Sequence, residues 1–259
     1  MKKRNLSRVI LLLLSFVFIF SLSGLIRYCL EYRELKRAQE EAVKNYTQEV
    51  QTPELFGEKE EKPDDGKLEE GSLCPIKVDF DALLAVNKDI VGWLYCEGTN
   101  INYPVVQGED NDHYLNHGYD GKESRAGALF VEAENGRDFA DSNTIIYGHH
   151  MRDGSMLAHL ADFGEQEYFD EHPMMWLLTP EKSYRVELFG SYLTSADSDS
   201  YTIFTGPCEE LEEYLKAAAA ASDVQAETET PKDGRYIMLS TCEYDFEGAR
   251  YVLHGRLLP

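Results

Sequence analysis

The chain has 259 residues, a formal net charge of −22, and 43% hydrophobic and 12% aromatic residues. That is enough apolar material for one domain with a real core. So acidic a body repels phosphates, which argues against nucleic acid as a partner. The five cysteines, Cys29, Cys74, Cys96, Cys208 and Cys242, are odd in number and contain no CxxC pair, so no zinc or redox motif is visible.

Residues 1–8 are basic, and residues 9–26 follow as 18 positions without a charge, dense in Leu, Ile, Val and Phe. At about 1.5 Å per residue, such a helix just spans a hydrocarbon core of roughly 30 Å. The basic residues ahead of it would stay in the cytoplasm, placing the C-terminus outside. This predicts a cytoplasmic tail (1–8) and a transmembrane signal anchor (9–26) of a single-pass cell-membrane protein with an extracellular body. A cleaved signal peptide is the alternative, since residues 21–24 offer a small-residue site. The apolar run exceeds the usual h-region of roughly 7–15 residues, which favours the anchor.

Residues 27–50 are charged, with apolar positions at Leu30, Leu35, Ala38, Ala42 and Val43, and read as a helix continuing the anchor. Residues 51–72 hold Glu, Lys, Asp, Gly and Pro with almost nothing to bury, the composition of a flexible linker. Residues 27–73 thus form a stalk and linker, and 74–259 the folded body.

Within the body, residues 79–87 read as a short helix with an acidic N-cap. Strand-like pieces follow at 90–95, 103–107, 128–131, 143–147, 176–179, 184–193, 236–241 and 250–257, separated by Gly, Asn and Asp turns. Eight short strands predict a closed or nearly closed β-barrel, a mainly β fold with helical additions. The helical inserts are 156–163, 165–171 and, strongest, 208–222, with acidic residues in its first turn and an Ala-rich end. Residues 223–234 read as a polar loop.

Two places stand out chemically. An apolar strand ends at Gly148 and delivers His149 and His150; another ends in Ser240, Thr241 and Cys242, with Arg250 eight residues on. A strand fixes its backbone while its tip faces solvent. A cysteine attacks acyl carbonyls as the thiolate, and an imidazolium or guanidinium nearby stabilises that thiolate. An arginine also stabilises the oxyanion of a tetrahedral intermediate. Each residue has a plainer reading. A lone cysteine is usually a small buried hydrophobe, the reading kept for the other four. Paired histidines point to metal, but neighbours on a strand face opposite ways, so the two would not share one ion. Arg250 could be a surface charge paired with Asp245 or Glu247, worth little.

The residues Leu239-Ser-Thr-Cys242 with Arg250 resemble the TLxTC…R signature of sortases. The segment Tyr147-Gly-His-His-Met151, residues 87–93 and 101–106, and Asn111-Asp-His-Tyr-Leu115 resemble class B sortases in particular. The resemblance covers roughly residues 76–258 and implies an eight-stranded barrel with N-terminal helices and a long helix between strands 6 and 7. It implies Cys242 as nucleophile, His149 as acid/base and Arg250 as electrostatic helper, with Asn111, Leu115, Tyr201, Ile203, Ser240 and Glu243 along the substrate groove. It implies a membrane-embedded transpeptidase that needs no metal or organic cofactor. The enzyme would cleave a C-terminal sorting motif of secreted proteins (NPxTN-like or PxTG-like) through a thioacyl intermediate. The Thr carboxyl would then pass to an amine of a peptidoglycan precursor or a pilin. Two rivals keep the same residues: a cysteine endopeptidase with water as acceptor, and a non-catalytic tethered binding domain.

Overall fold

The computed structural model describes residues 2–50, 74–243 and 247–258; in the first helix the side chains of residues 2–12, 28–29, 31–32 and 34–35 are also excluded. The expected linker, 51–72, lies outside the described residues. The chain divides into two compact units, Met1–Glu41 and Ala42–Pro259.

The first unit is one helix, α1 (Lys2–Tyr46), whose last turn belongs to the second unit. Leu13, Leu14, Phe16, Phe18 and Phe20 are all exposed along it. Among the described residues, no helix is long and apolar enough to cross a membrane. Residues 9–12, the start of the expected span, have side chains outside the described set.

In the second unit the helix ends at Tyr46 rather than running to residue 50. The Thr47 hydroxyl donates to the Val43 carbonyl at 2.7 Å, and β1 (Thr47–Glu49) pairs antiparallel with β2 (Ile76–Val78). This ribbon buries Ile76 and Val78 in one cluster with Ala42, Leu83 and Trp93, a tertiary gain that outweighs local helix preference. Helix α2 (Phe80–Val86) starts where the Asp79 carboxylate accepts the Ala82 N–H at 3.0 Å, as its acidic N-cap predicted.

Eight strands then close a barrel: β3 (Ile90–Tyr95), β4 (Asn102–Val106), β5 (Leu129–Val131), β6 (Asn143–Tyr147), β7 (Met174–Leu178), β8 (Ser183–Ser195), β9 (Arg235–Cys242) and β10 (Ala249–Leu258). Around the ring the order is β10-β8-β7-β3-β4-β5-β6-β9. Closure leaves these strands no free edge.

The insert at 156–163 is not a helix. Met156 takes a positive φ of 58° and the Leu157 N–H bonds the His149 carbonyl at 3.1 Å, so only a 3-10 turn, Leu160–Gly164, forms. Helix α3 (Gln166–Glu171) follows. Helix α4 (Glu209–Ala221) lies between the sixth and seventh barrel strands. It carries Glu209, Glu210 and Glu212 in its first turn and buries Leu211, Leu215 and Ala218. These pack on Ile145, Phe189, Tyr192, Tyr236, Met238 and Val252, the outer face of the barrel.

One parallel and two antiparallel pairings decide where the chemistry falls. Strand β6 runs parallel to β9, so both C-terminal ends reach one mouth of the barrel. Strand β10 is antiparallel to both β9 and β8, so it starts at that mouth, where β8 ends.

Candidate active site

Alternation along β9 puts Tyr236, Met238, Ser240 and Cys242 on one face. Helix α4 covers the first two; the face then reaches the mouth at Cys242, which is half-buried. Across the β9–β10 ladder Cys242 is the direct partner of Arg250. The Glu243 N–H bonds the Ala249 carbonyl at 2.9 Å, making 243 and 249 a hydrogen-bonded pair. Cys242 and Arg250 are therefore a non-hydrogen-bonded pair, the kind whose Cα atoms lie only about 4.5 Å apart and whose side chains approach most closely. Arg250 is half-buried, and its Nη1 donates to the Ala249 carbonyl at 3.0 Å, which steadies the guanidinium.

The parallel ladder ends at Tyr147 opposite Ser240, and the Gly148 N–H bonds the Ser240 carbonyl at 3.0 Å. Two residues beyond this last pair, the two segments carry His149 on one side and Cys242 on the other. A side chain at Gly148 would collide with the Leu129 and Leu157 side chains, so close packing favours a small residue here. The His149 Nε2 lies 2.8 Å from the Leu115 carbonyl. A carbonyl only accepts, so Nε2 carries the hydrogen and Nδ1 is the basic nitrogen of the neutral ring. Gly127, at φ 59°, packs against the backbone of Tyr114 and Leu115, where a Cβ would overlap both carbonyls.

His150 faces the same mouth. Its Nδ1 donates to the Cys242 carbonyl at 3.0 Å and sits 3.1 Å from the Glu243 carboxylate. The two histidines, both beyond the end of β6, turn to different partners. Among the described residues, no group of three His, Cys, Asp or Glu is placed to hold a metal ion.

A polar chain runs along the wall. The Asn111 amide donates to Glu132 and its carbonyl oxygen accepts the Ala133 N–H at 2.8 Å. Glu132, 8% exposed, accepts the Tyr147 hydroxyl at 2.8 Å. The Tyr147 ring stacks on Tyr201 with centroids 6.2 Å apart and planes 7° from parallel. The Tyr201 hydroxyl and Ser240 Oγ are 2.7 Å apart. Burial, reinforced by the Glu132 carboxylate, pushes the Tyr147 phenol far up; burial also raises Tyr201, against the pull of Arg250. Both remain hydroxyl donors at neutral pH.

The structure therefore pairs Cys242 with Arg250, ties Glu243 to Cys242 through His150, holds His149 on Leu115, and links Asn111 to Tyr201 and Ser240 through Glu132 and Tyr147, while Ile203 and Tyr201 pack against the same apolar cluster. Leu115 belongs through its backbone carbonyl, which residue type does not reveal. Glu132 and Tyr147 were not foreseen; the one sequence signal was a carboxylate directly after the apolar run 129–131. Of the carboxylates offered as plainer partners for Arg250, Asp245 lies outside the described residues.

The sortase domain matches residues 94–258, more than half of the chain. The chain belongs to the sortase family. Sortase B of Listeria monocytogenes is 38% identical over 187 residues, covering 71% of this chain and 75% of the relative. Sortase B of Staphylococcus aureus is 32% identical over 170 residues, 65% of this chain and 69% of the relative. Among solved structures, sortase B from Bacillus anthracis in complex with AAEK1 superposes with a TM-score of 0.71 at 29% identity, covering 88% of this chain and 98% of that one. The Staphylococcus aureus sortase B–substrate complex gives 0.65 at 29% identity, covering 69% and 84%. The chain is thus a class B sortase, a cysteine transpeptidase of cell-wall sorting, and the eight-stranded barrel with its helical additions is the fold of that class.

Proposed function

We propose that Cys242, His149 and Arg250 carry out the acyl transfer, at a groove walled by Asn111, Leu115, Tyr201, Ile203, Ser240 and Glu243. The observation that supports this most is the non-hydrogen-bonded pairing of Cys242 with Arg250, on a strand whose other neighbour, β6, ends two residues before His149.

The Cys242 thiolate attacks the carbonyl carbon of the Thr in a sorting motif, NPxTN-like or PxTG-like, near the C-terminus of a secreted protein. The S–C bond forms as the carbonyl π pair moves onto oxygen, and the Arg250 guanidinium stabilises that oxyanion. The intermediate collapses and the C–N bond breaks. The departing amine takes its proton from protonated His149 at Nδ1, while the Leu115 carbonyl holds Nε2–H and hence the ring's direction. An acceptor amine, from a peptidoglycan precursor or a pilin lysine, then attacks the thioester. His149 takes its proton, and the Cys242 thiolate leaves.

The charge pattern of the chain supports a membrane-anchored enzyme: a basic tail at 1–8, a chargeless run at 9–26 and an acidic body. Such an anchor places the groove where exported substrates emerge.

The test is mass spectrometry of the purified chain, wild type beside Cys242→Ala, with a library of sorting-motif peptides and an amine acceptor. An acyl adduct on Cys242 that resolves into amine-linked product is the expected result. An adduct released only by water would instead establish a hydrolase. Absence of any adduct with every peptide would sink the catalytic assignment.

A further inference from the structure

His254 is a buried group that the reaction does not use. It lies on β10 four residues beyond Arg250, on the same face, and is 0% exposed. It stacks on Tyr192 (centroids 5.4 Å, planes 15° apart) and lies against Phe189 and Tyr214 at 5.5 and 6.0 Å. Burial pushes its pKa down to about 3, so the ring is neutral at any working pH. A phenylalanine would fill this aromatic slot without burying polar nitrogens, so the imidazole's hydrogen bond is the feature to explain.

That bond begins a relay. His254 Nε2 is 3.2 Å from the Tyr192 hydroxyl, and the Tyr192 hydroxyl is 3.0 Å from Ser200 Oγ. Nδ1 has no hydrogen-bond partner among the described residues. An orphaned buried N–H is rarer than an orphaned acceptor. The hydrogen therefore sits on Nε2, His254 donates to Tyr192, and Tyr192 donates to Ser200. Ser200 is gripped a second time, through its carbonyl, by the Tyr214 hydroxyl at 3.0 Å. Asn143 secures the same loop, its amide reaching the Thr202 carbonyl and the Tyr214 hydroxyl at 3.3 Å each. The next residue after Ser200 is Tyr201, which caps Ser240 and stacks on Tyr147 at the groove. A deep, neutral and rigid chain thus ends one residue from the groove wall without touching Cys242, His149 or Arg250.

We propose that His254 and Tyr192, acting through Ser200, are positioning residues that set Tyr201 in the groove and so help determine which sorting peptide binds. This rests on the reading of Tyr201 as part of the peptide groove. Removing the relay should loosen the turn at 199–201 and weaken peptide binding while leaving the reacting groups in place.

The test uses the full chain with Tyr192→Phe, which keeps the stack and deletes the linking hydroxyl, and with His254→Phe. Steady-state transpeptidation, the rate of Cys242 alkylation by iodoacetamide, and amide hydrogen exchange at residues 200–204 are measured for each. Tyr192→Phe should raise KM for the peptide about three- to tenfold, the effect of one buried hydrogen bond. Its kcat and Cys242 alkylation should stay within about twofold, while exchange at 200–204 quickens. The double variant should be little worse than Tyr192→Phe, because both residues act through one relay. An active wild type with unchanged KM and exchange in Tyr192→Phe would overturn the inference alone. So would a fall in kcat and alkylation in step with KM, the mark of general damage. A wild type that never acylates would instead overturn the functional reading, and that outcome is seen before any variant is compared. If His254→Phe does not fold, Tyr192→Phe still decides the question.

Discussion

Cys96 and Cys242 are the same side chain at the ends of two strands of the same barrel. Strand β3 runs in the same direction as β9, so both sulfurs lie toward one mouth, and the two strands stand four places apart in the ring of eight. Their surroundings differ completely. Cys96 is 0% exposed, its sulfur donates to the Met174 carbonyl at 3.5 Å, and burial pushes the thiol up to about 12. Cys242 is half-buried, hydrogen-bonded through its carbonyl to His150, and faces Arg250 across a close ladder pair. Position at a strand end does not make a cysteine a nucleophile. Access, a basic partner and a fixed positive charge do.

The hardest test of this contrast removes each sulfur in turn. Cys242→Ala should lower amine-dependent product formation by about 10³-fold or more, as loss of a nucleophile does in other covalent enzymes. Cys96→Ala should retain turnover within about threefold and instead lower stability by about 1 kcal/mol, through lost packing in a buried site. Turnover assays and urea melts on both variants measure this. Equal loss of activity would erase the distinction.

Arg250→Lys sharpens the same point by keeping charge while removing the planar fork. It should lower kcat by about 10²-fold, close to the cost of one lost oxyanion donor, with circular dichroism unchanged. Full activity in the lysine variant would mean that charge alone suffices. Alkylation offers a milder comparison that needs no mutation. Peptide mapping after brief iodoacetamide treatment should show Cys242 modified at least about tenfold faster than Cys96, which reacts only when its surroundings open. Comparable rates would contradict the buried placement of Cys96.

Much of this was readable from residue order, and the reasons are local. Strands 90–95 and 143–147 are short apolar runs closed by turn residues, so their limits follow from composition. Arg250 and Cys242 stood out as candidates only, since each also has a plain structural role, and their pairing follows from the ladder rather than from residue order. What stayed hidden depends on distant pairing. Residues 47–49 look helical until β2, far along the chain, offers them a partner. Residues 156–163 look helical until Leu157 is claimed by the His149 carbonyl. Leu115 acts through a backbone oxygen common to every residue type, and Glu132 becomes a buried acceptor only when Asn111 and Tyr147 converge on it.

The histidines repeat the contrast of the cysteines and give its gentlest test. His149 stands half-buried at the mouth, whereas His254 is sealed in the core with its pKa held down to about 3 by burial. In the unfolded chain His254 titrates near 6.5. Between those values the unfolded state binds a proton that the folded state refuses, so stability rises with pH across this window and is lost as pH falls below about 6.5. The slope from one such group is about 1.4 kcal/mol per pH unit, or about 2 kcal/mol between pH 6.5 and 5. Urea unfolding at pH 7, 6, 5 and 4 should therefore show a shallower acid decline in His254→Phe than in wild type. Carboxylates contribute the same background to both curves, so only the difference belongs to His254. Parallel curves would mean that His254 takes up its proton while folded, and the neutral relay to Tyr192 would then fail with it.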